Sequence, residues 1–275
     1  MSLTDAFSGP SGVDLTSPVA RANPVAKLGV SLAVATALLL SVDVVTAGVA
    51  LGLELVCLPW CGVGASALWR RGWILLVAAV PAGIVTAVLG VDSGDVLLRL
   101  GPITVTEGSL LDGVAIALRV FAIGLPGVVL LATTDPTDLA DALAQNLRLP
   151  YRFVLAALAA MRLVGVLAEE WRMLGLARRA RGLGDDGLPG RVRTFAGQVF
   201  ALLVLAIRRA TVLATVMEAR GFGARDAAGG LRPRTWARVA RFGLGDVVLL
   251  VGGVAIAAAA TAVSIAVGAW NPILA

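Results

Sequence analysis

Apolar runs close to a bilayer's thickness alternate with short charged breaks along most of the chain, and one long half-polar interlude interrupts the series. Residues 28–40 carry no charge, Asp43 breaks the run, and residues 44–60 are apolar again except for Glu54. A bilayer core needs about 20 apolar helical residues, so this stretch is too long for one upright span. It reads as two short helices with a tight turn near Asp43, the rival being one long tilted helix. Asn23 and Pro24 suit the N-cap and first turn of the first helix. The third span is expected from Trp73 to Val91, kinked at Pro81. Trp69-Arg70-Arg71-Gly72-Trp73 before it is a charged break flanked by interfacial aromatics. An acidic loop follows from Val91 to Asp112. The fourth span is expected from Gly113 to Ala132, with Pro126 as a second kink and Arg119 near its start, snorkelling to the interface. The last span, Val247 to Val267, is rich in Ala, Val and Gly, which let helices approach closely.

The interlude from Asp135 to about Gly243 has a different pattern. Thr134-Asp135-Pro136-Thr137-Asp138 is a helix-start signal, opening a short amphipathic helix to about Leu147. A second helix is predicted from Pro150 to Arg181, apolar at first and then carrying Glu169, Glu170, Arg172, Arg178, Arg179 and Arg181. Residues 184–190 read as a plain loop. A third helix is predicted from Arg193 to Arg220. Its uncharged stretch, Thr194 to Ile207, is 14 residues, too short to cross a bilayer unaided. Both long helices close on the same tripeptide, Ala180-Arg181-Gly182 and Ala219-Arg220-Gly221. Arg complements the negative end of the helix dipole and Gly accepts the left-handed conformation that stops a helix. Composition alone predicts about half an occurrence of that tripeptide, so the repeat gains meaning from its place. Both copies end helices too polar for lipid and too apolar for water, which need partners. An exposed guanidinium at a helix tip offers a fixed fork of donors suited to carboxylates.

Composition narrows the chemistry. The chain of 275 residues is 58% hydrophobic and 15% charged, with mean hydropathy +0.90; soluble domains carry about 25% charged residues. An all-α polytopic membrane protein of about five transmembrane helices is expected. There is no histidine, hence no histidine metal ligand or general base. The single lysine, Lys27, follows Pro-Val-Ala rather than a glycine-rich loop, which excludes a Walker-type phosphate site. Cys57 and Cys61 flank Pro59 and lack other soft ligands, so no zinc site is expected. Of the 23 Lys and Arg residues, seventeen lie in the interlude. Five spans place the interlude, the Arg70-Arg71 segment and the Arg21/Lys27 lead-in on one side, with the acidic loop opposite. By the positive-inside rule, the N-terminus and interlude are then cytoplasmic and the C-terminus outside. The expected organisation is a disordered tail at 1–22, about four spans in 23–133, a cytoplasmic coupling domain at 134–243, and the last span in 244–275.

These residues together resemble a known family. Asn23-Pro24…Lys27, Thr134-Asp135-Pro136 with Ala142-Leu143 and Pro150, Met161-Arg162, Glu169-Glu170, Ala177-Arg178-Arg179-Ala180-Arg181-Gly182 and Met217-Glu218-Ala219-Arg220-Gly221-Phe222 are similar to the transmembrane T component of energy-coupling factor (ECF) transporters, the group with the CbiQ- and BioN-type proteins. Val216 departs conservatively from the alanine more common there. The resemblance implies a bacterial cytoplasmic-membrane complex with two ABC-type ATPase subunits and a substrate-binding S component. Two crossing coupling helices dock one Ala-Arg-Gly tip on each ATPase and drive uptake of a vitamin or a transition-metal ion such as cobalt or nickel. Ala180, Arg181, Gly182, Ala219, Arg220 and Gly221 are the implied contact residues, with Arg178, Arg179 and Glu218 supporting them. Glu218 is expected to pair with a neighbouring arginine along its helix face. No cofactor, resident metal, catalytic residue or nucleic-acid partner is expected, and ATP hydrolysis belongs to the partners. The rivals are a self-contained permease with Arg119 and Glu54 along its path, and a membrane anchor for other ATPases.

Overall fold

The computed structural model describes residues 14, 16–41, 43–90, 93–100, 103–182, 187–224, 236 and 238–271, with the side chains of 98–100 and 103–104 excluded. The expected tail over 1–13, the loop carrying Asp185 and Asp186, and most of the expected loop after Gly221 lie outside the described residues. The protein is an all-α polytopic membrane protein with one small hairpin among the described residues. Two compact units are present: residues 143–239 form the core of one, and residues 10–142 with 240–275 form the other.

In the second of these, α1 (Pro18–Arg21) precedes α2 (Pro24–Leu40) and α3 (Val44–Cys57). The stretch expected to be tail is therefore placed from Asp14 on: Asp14 N–H donates to Gly62 O and Ser17 Oγ donates to Cys61 O. Asp14 also accepts from the Thr16 hydroxyl and amide, which hold its carboxyl below the ordinary range. Asn23 caps α2 by accepting from Val25 N at 3.0 Å, with Pro24 at the first position. Asp43 caps α3 by accepting from the Thr46 amide and hydroxyl. The chain thus makes two helices between 24 and 57, split at Asp43, because that carboxylate satisfies the free amides of a helix start.

After a 3-10 turn (Leu58–Cys61), Gly62 takes φ +67° and α4 (Ala65–Leu89) begins. Arg70 and Arg71 lie on this helix rather than in a break, because α4 starts eight residues before Trp73. The expected acidic loop contains an antiparallel hairpin, β1 (Val96–Leu100) with β2 (Ile103–Thr106), pairing Arg99 with Thr104. Its β-branched residues, Val96, Ile103, Thr104, Val105 and Thr106, favour strand. Next comes α5 (Glu107–Thr133), starting six residues earlier than expected because Thr106 and Ser109 form a reciprocal capping box. Helical structure runs through Pro81 and Pro126.

α5 packs against α4, α3 and α2, and α9 (Leu244–Val267) packs against α2 and α3. Val34, Leu38, Ala47, Ala50, Ala122 and Ala260 form the buried centre. Small residues set the spacing: a Cβ on Gly113 would lie 2.6 Å from Gly83 O, and one on Gly253 would lie 2.5 Å from the Val30 side chain. The outward faces are apolar, with Ile84, Leu131 and Val248 all exposed, the arrangement lipid permits. The earlier start of α5 also relocates Arg119. It lies about 18 Å along the helix at 1.5 Å per residue and is 8% exposed, with Nε unpartnered, so it is buried at mid-helix and does not snorkel.

α6 (Pro136–Gln145) starts where Asp135 accepts from Thr137 N at 2.6 Å. The unit of residues 143–239 contains α7 (Tyr151–Ala180) and α8 (Gly187–Ala219). α8 begins at Gly187 instead of Arg193, with Pro189 in its first turn, where a missing N–H costs nothing. Among the described residues, six helical segments are long and apolar enough to cross a membrane: residues 44–61, α4, α5, α7, α8 and α9; α2 is a shorter apolar helix.

Candidate functional site: two exposed helix ends

Length and charge made α7 and α8 stand out, and their packing shows how they hold each other. Trp171 meets Phe195 edge-on at 5.5 Å between ring centroids. Gln198 Nε2 donates to Trp171 O at 2.7 Å, and Arg178 Nη1 donates to Thr194 O at 2.6 Å. Gly197 lies under the Arg178 guanidinium, where an added Cβ would be 3.2 Å from Nη1. Arg209 pairs with Glu170 across the two helices, while Arg172 pairs with Glu169 along one. At the other end Tyr151 meets Phe222 edge-on at 6.2 Å. The helices are therefore antiparallel, with the start of α7 beside the end of α8.

That geometry fixes where the two tripeptides lie. At the first, Arg181 is the C-cap with φ −91°, and Gly182 takes φ +72° and donates to Arg179 O at 2.9 Å. At the second, Gly221 takes φ +79° and donates to Glu218 O at 2.9 Å, while Phe222 donates to Met217 O at 2.9 Å. The second is a complete Schellman cap, and the first shows the same inner bond. The glycine absorbs the left-handed turn, so the arginine before it stays on the last helical turn and faces out. Ala180, Arg181, Gly182, Ala219, Arg220 and Gly221 are all exposed. Because Phe222 lies beside Tyr151, Arg220 and Arg181 are separated by the length of α7. Its 30 residues make about 45 Å. One unit thus presents two similar cationic tips at opposite ends.

The supporting residues divide. Arg179 is exposed next to the first tip. Arg178 is half-buried and spent on the α7–α8 crossing. Glu218 forms no ion pair among the described residues; its backbone carbonyl closes the cap while its side chain stays exposed. The expected pairing with a neighbouring arginine is not made among the described residues, because the positions three and four away, Ala214, Thr215, Gly221 and Phe222, hold none. Among the described residues no three metal-ligating side chains converge.

The sequence pattern missed a buried polar knot in the other unit. Lys27 Nζ has Ala20 O, Thr133 O and Thr133 Oγ1 at 3.1 Å and Thr134 Oγ1 at 3.2 Å. Asn23 N donates to Asp246 Oδ1 at 2.5 Å, and Asn23 Nδ2 donates to Arg241 O at 3.1 Å. Gly243 N donates to Asp246 Oδ2 at 2.7 Å. Asn23 and Lys27 drew notice as part of a resemblance, but Asp246 carried no signal beyond being an acid at the start of an apolar run. The knot ties α2 to the end of α5 and the start of α9.

The sequence profile of the CbiQ family, described as cobalt transport protein, matches residues 16–228. The energy-coupling factor transporter transmembrane protein EcfT of Bacillus selenitireducens is 33% identical over 166 residues, 57% of this chain and 60% of that protein. EcfT 1 of Listeria monocytogenes is 29% identical over 186 residues, 64% of this chain and 65% of that protein. EcfT of Bacillus subtilis is 30% identical over 158 residues, 54% of this chain and 60% of that protein. The matches thus span a little under two thirds of these relatives' length. With a match over most of its length, on a chain of apolar helices carrying two exposed Ala-Arg-Gly ends, this protein belongs to the CbiQ family of cobalt transport proteins.

Proposed function

We propose that this chain is the transmembrane T component of an ECF-type importer. It couples ATP hydrolysis by two associated ABC-type ATPase subunits to movement of a substrate-binding S component, for uptake of a vitamin or a transition-metal ion. The observation that carries the reading is the pair of similarly capped, exposed arginine tips about 45 Å apart on one antiparallel helix pair. Two related sockets, one on each ATPase, call for two similar plugs, and each plug here is a rigid helix end. The α7–α8 crossing, held by Trp171–Phe195, Arg178–Thr194 and Glu170–Arg209, lets displacement at one tip reach the other helix. The lack of a phosphate-binding loop in the sequence agrees with hydrolysis in the partners.

In this reading α7 and α8 lie at the cytoplasmic face of the bacterial membrane. Both are long and apolar enough to cross it, and a self-contained permease with extra spans is the second reading. Charge argues against that placement. Arg162 falls in the middle of the apolar first half of α7, where a crossing helix would carry it at the bilayer centre at a cost of at least about 2.5 kcal/mol.

The test is capture of the ATPases by Arg181→Ala and Arg220→Ala in the co-expressed complex. Removing a hydrogen-bonded charge from a buried interface costs about 2–5 kcal/mol, so each variant should lose at least about thirtyfold in affinity. Arg→Lys at either position should rescue poorly, since the planar fork is lost. Wild-type capture by both alanine variants overturns the docking role. Uptake by the purified chain without any ATPase establishes the permease instead.

A further inference from the structure

A cavity of about 360 Å³ lies among α2, α3 with its 3-10 turn, α5 and α9. Its walls are almost wholly apolar, but Lys27, Glu54, Cys57 and Cys61 also line it. Lys27 is committed to Ala20, Thr133 and Thr134. Glu54 is 8% exposed, and neither carboxyl oxygen has a hydrogen-bond partner among the described residues. Buried carboxyl groups are costly unless paired, so those in folded proteins have partners. The cavity therefore holds an acceptor without its donor.

Three observations identify the missing donor by class. First, the rim includes Trp60 and Val248, 64% and 70% exposed. On a membrane-spanning helix bundle such apolar rim residues meet acyl chains, so the occupant comes from the bilayer and has an apolar body. Second, a carboxylate in an apolar wall is satisfied by a cation carrying N–H donors, and of guanidinium and ammonium the ammonium is the compact one, with three donors on a single atom. Third, a metal ion does not fit, because no three metal-ligating side chains converge among the described residues and Cys61 Sγ is turned to Cys57 O. The volume is at the lower end for small-molecule sites. We propose that this cavity binds an amphiphile with a protonated primary amine on an apolar chain, the ammonium resting on Glu54 and the chain filling the space between α2, α3, α5 and α9. The site is distinct from the two arginine tips and does not depend on the coupling role.

Cys57 and Cys61 are the only cysteines in the sequence and both line the cavity, so thiol modification reports its occupancy. The full chain in nanodiscs of phosphatidylcholine, a lipid without a primary amine, is labelled with N-ethylmaleimide while dodecylamine is titrated, with dodecanol as the neutral control. Thermal unfolding of the same discs gives a second readout that does not need the thiols to react. The expected result is at least tenfold slower labelling, or a clear rise in unfolding temperature, with dodecylamine and not with dodecanol. Glu54→Gln and Glu54→Leu should both abolish that response. Discs containing phosphatidylethanolamine distinguish the sources. Glu54-dependent protection before any additive assigns the amine to the lipid, and protection only with dodecylamine assigns it to a free hydrophobic amine. Equal responses to the alcohol, a response that survives both Glu54 variants, or no response in either readout overturns the proposal.

Discussion

Replacing Lys27 with methionine removes one ammonium and keeps most of the stem that carries it. Four acceptors lie within 3.2 Å of Nζ; an ammonium has three protons, so the equivalent of three bonds is lost. Hydrogen bonds to a charged group contribute about 1.5–3 kcal/mol each. Part of the sum is recovered. Thr133 Oγ1 still donates to Val129 O at 2.8 Å, and Ala20 is only half-buried, so water replaces that bond. What is not recovered is the buried Thr133 carbonyl, left unpaired at about 1–3 kcal/mol. The burial penalty on the ammonium is relieved, which offsets part of the loss, while the Asp246 carboxylate loses the cation it favours. The net expectation is a loss of about 3 kcal/mol, roughly a hundredfold in the unfolding constant. Reversible denaturation in mixed micelles, followed by tryptophan fluorescence, measures it. Ser31→Ala is the control, since its hydroxyl donates only to Lys27 O within the same helix, and a change under about 0.5 kcal/mol is expected. If Lys27→Met unfolds within about 0.5 kcal/mol of wild type, the lysine does not tie α2 to the end of α5, and the account of the knot is wrong.

Two further outcomes follow from the glycines. Gly113→Ala puts a Cβ 2.6 Å from Gly83 O and 2.9 Å from Ala87 Cβ; it should cost about 1–3 kcal/mol by overpacking α4 on α5, while Gly127→Ala, which meets nothing within 4 Å, should be near neutral in the same denaturation assay. Gly221→Val forces a β-branched residue into the left-handed region, at about 1–2 kcal/mol, and should weaken ATPase capture by disturbing the cap. Gly221→Asn should keep capture within about threefold of wild type, because asparagine tolerates that conformation; equal loss in both variants would show that the glycine itself touches the partner.

Much of the fold was legible because membrane helices are long, local and written in hydropathy. The rough place of the apolar helices, the turn at Asp43 and the start signals at Asn23-Pro24 and Asp135-Pro136 come from the chain alone. A capping side chain or a fixed proline φ acts within three or four residues. The family resemblance was also readable, since it rests on contiguous residues at the two tripeptides. Boundaries shifted where a local device outranked hydropathy. The Thr106–Ser109 capping box moved the start of α5, and with it moved Arg119 from the expected interface to buried mid-helix. The tertiary structure alone decided the rest, because these facts depend on partners far apart in sequence. Asp246 is a single acid until Asn23, 223 residues away, donates to it. Arg178 reads as one more basic residue near a tip until Thr194 claims it. Glu54 is a stray charge in an apolar run until α2, α5 and α9 close around α3 and leave it without a donor among the described residues. The two Ala-Arg-Gly ends look like neighbours in a polar interlude, and only the antiparallel packing of α7 and α8 sets them about 45 Å apart.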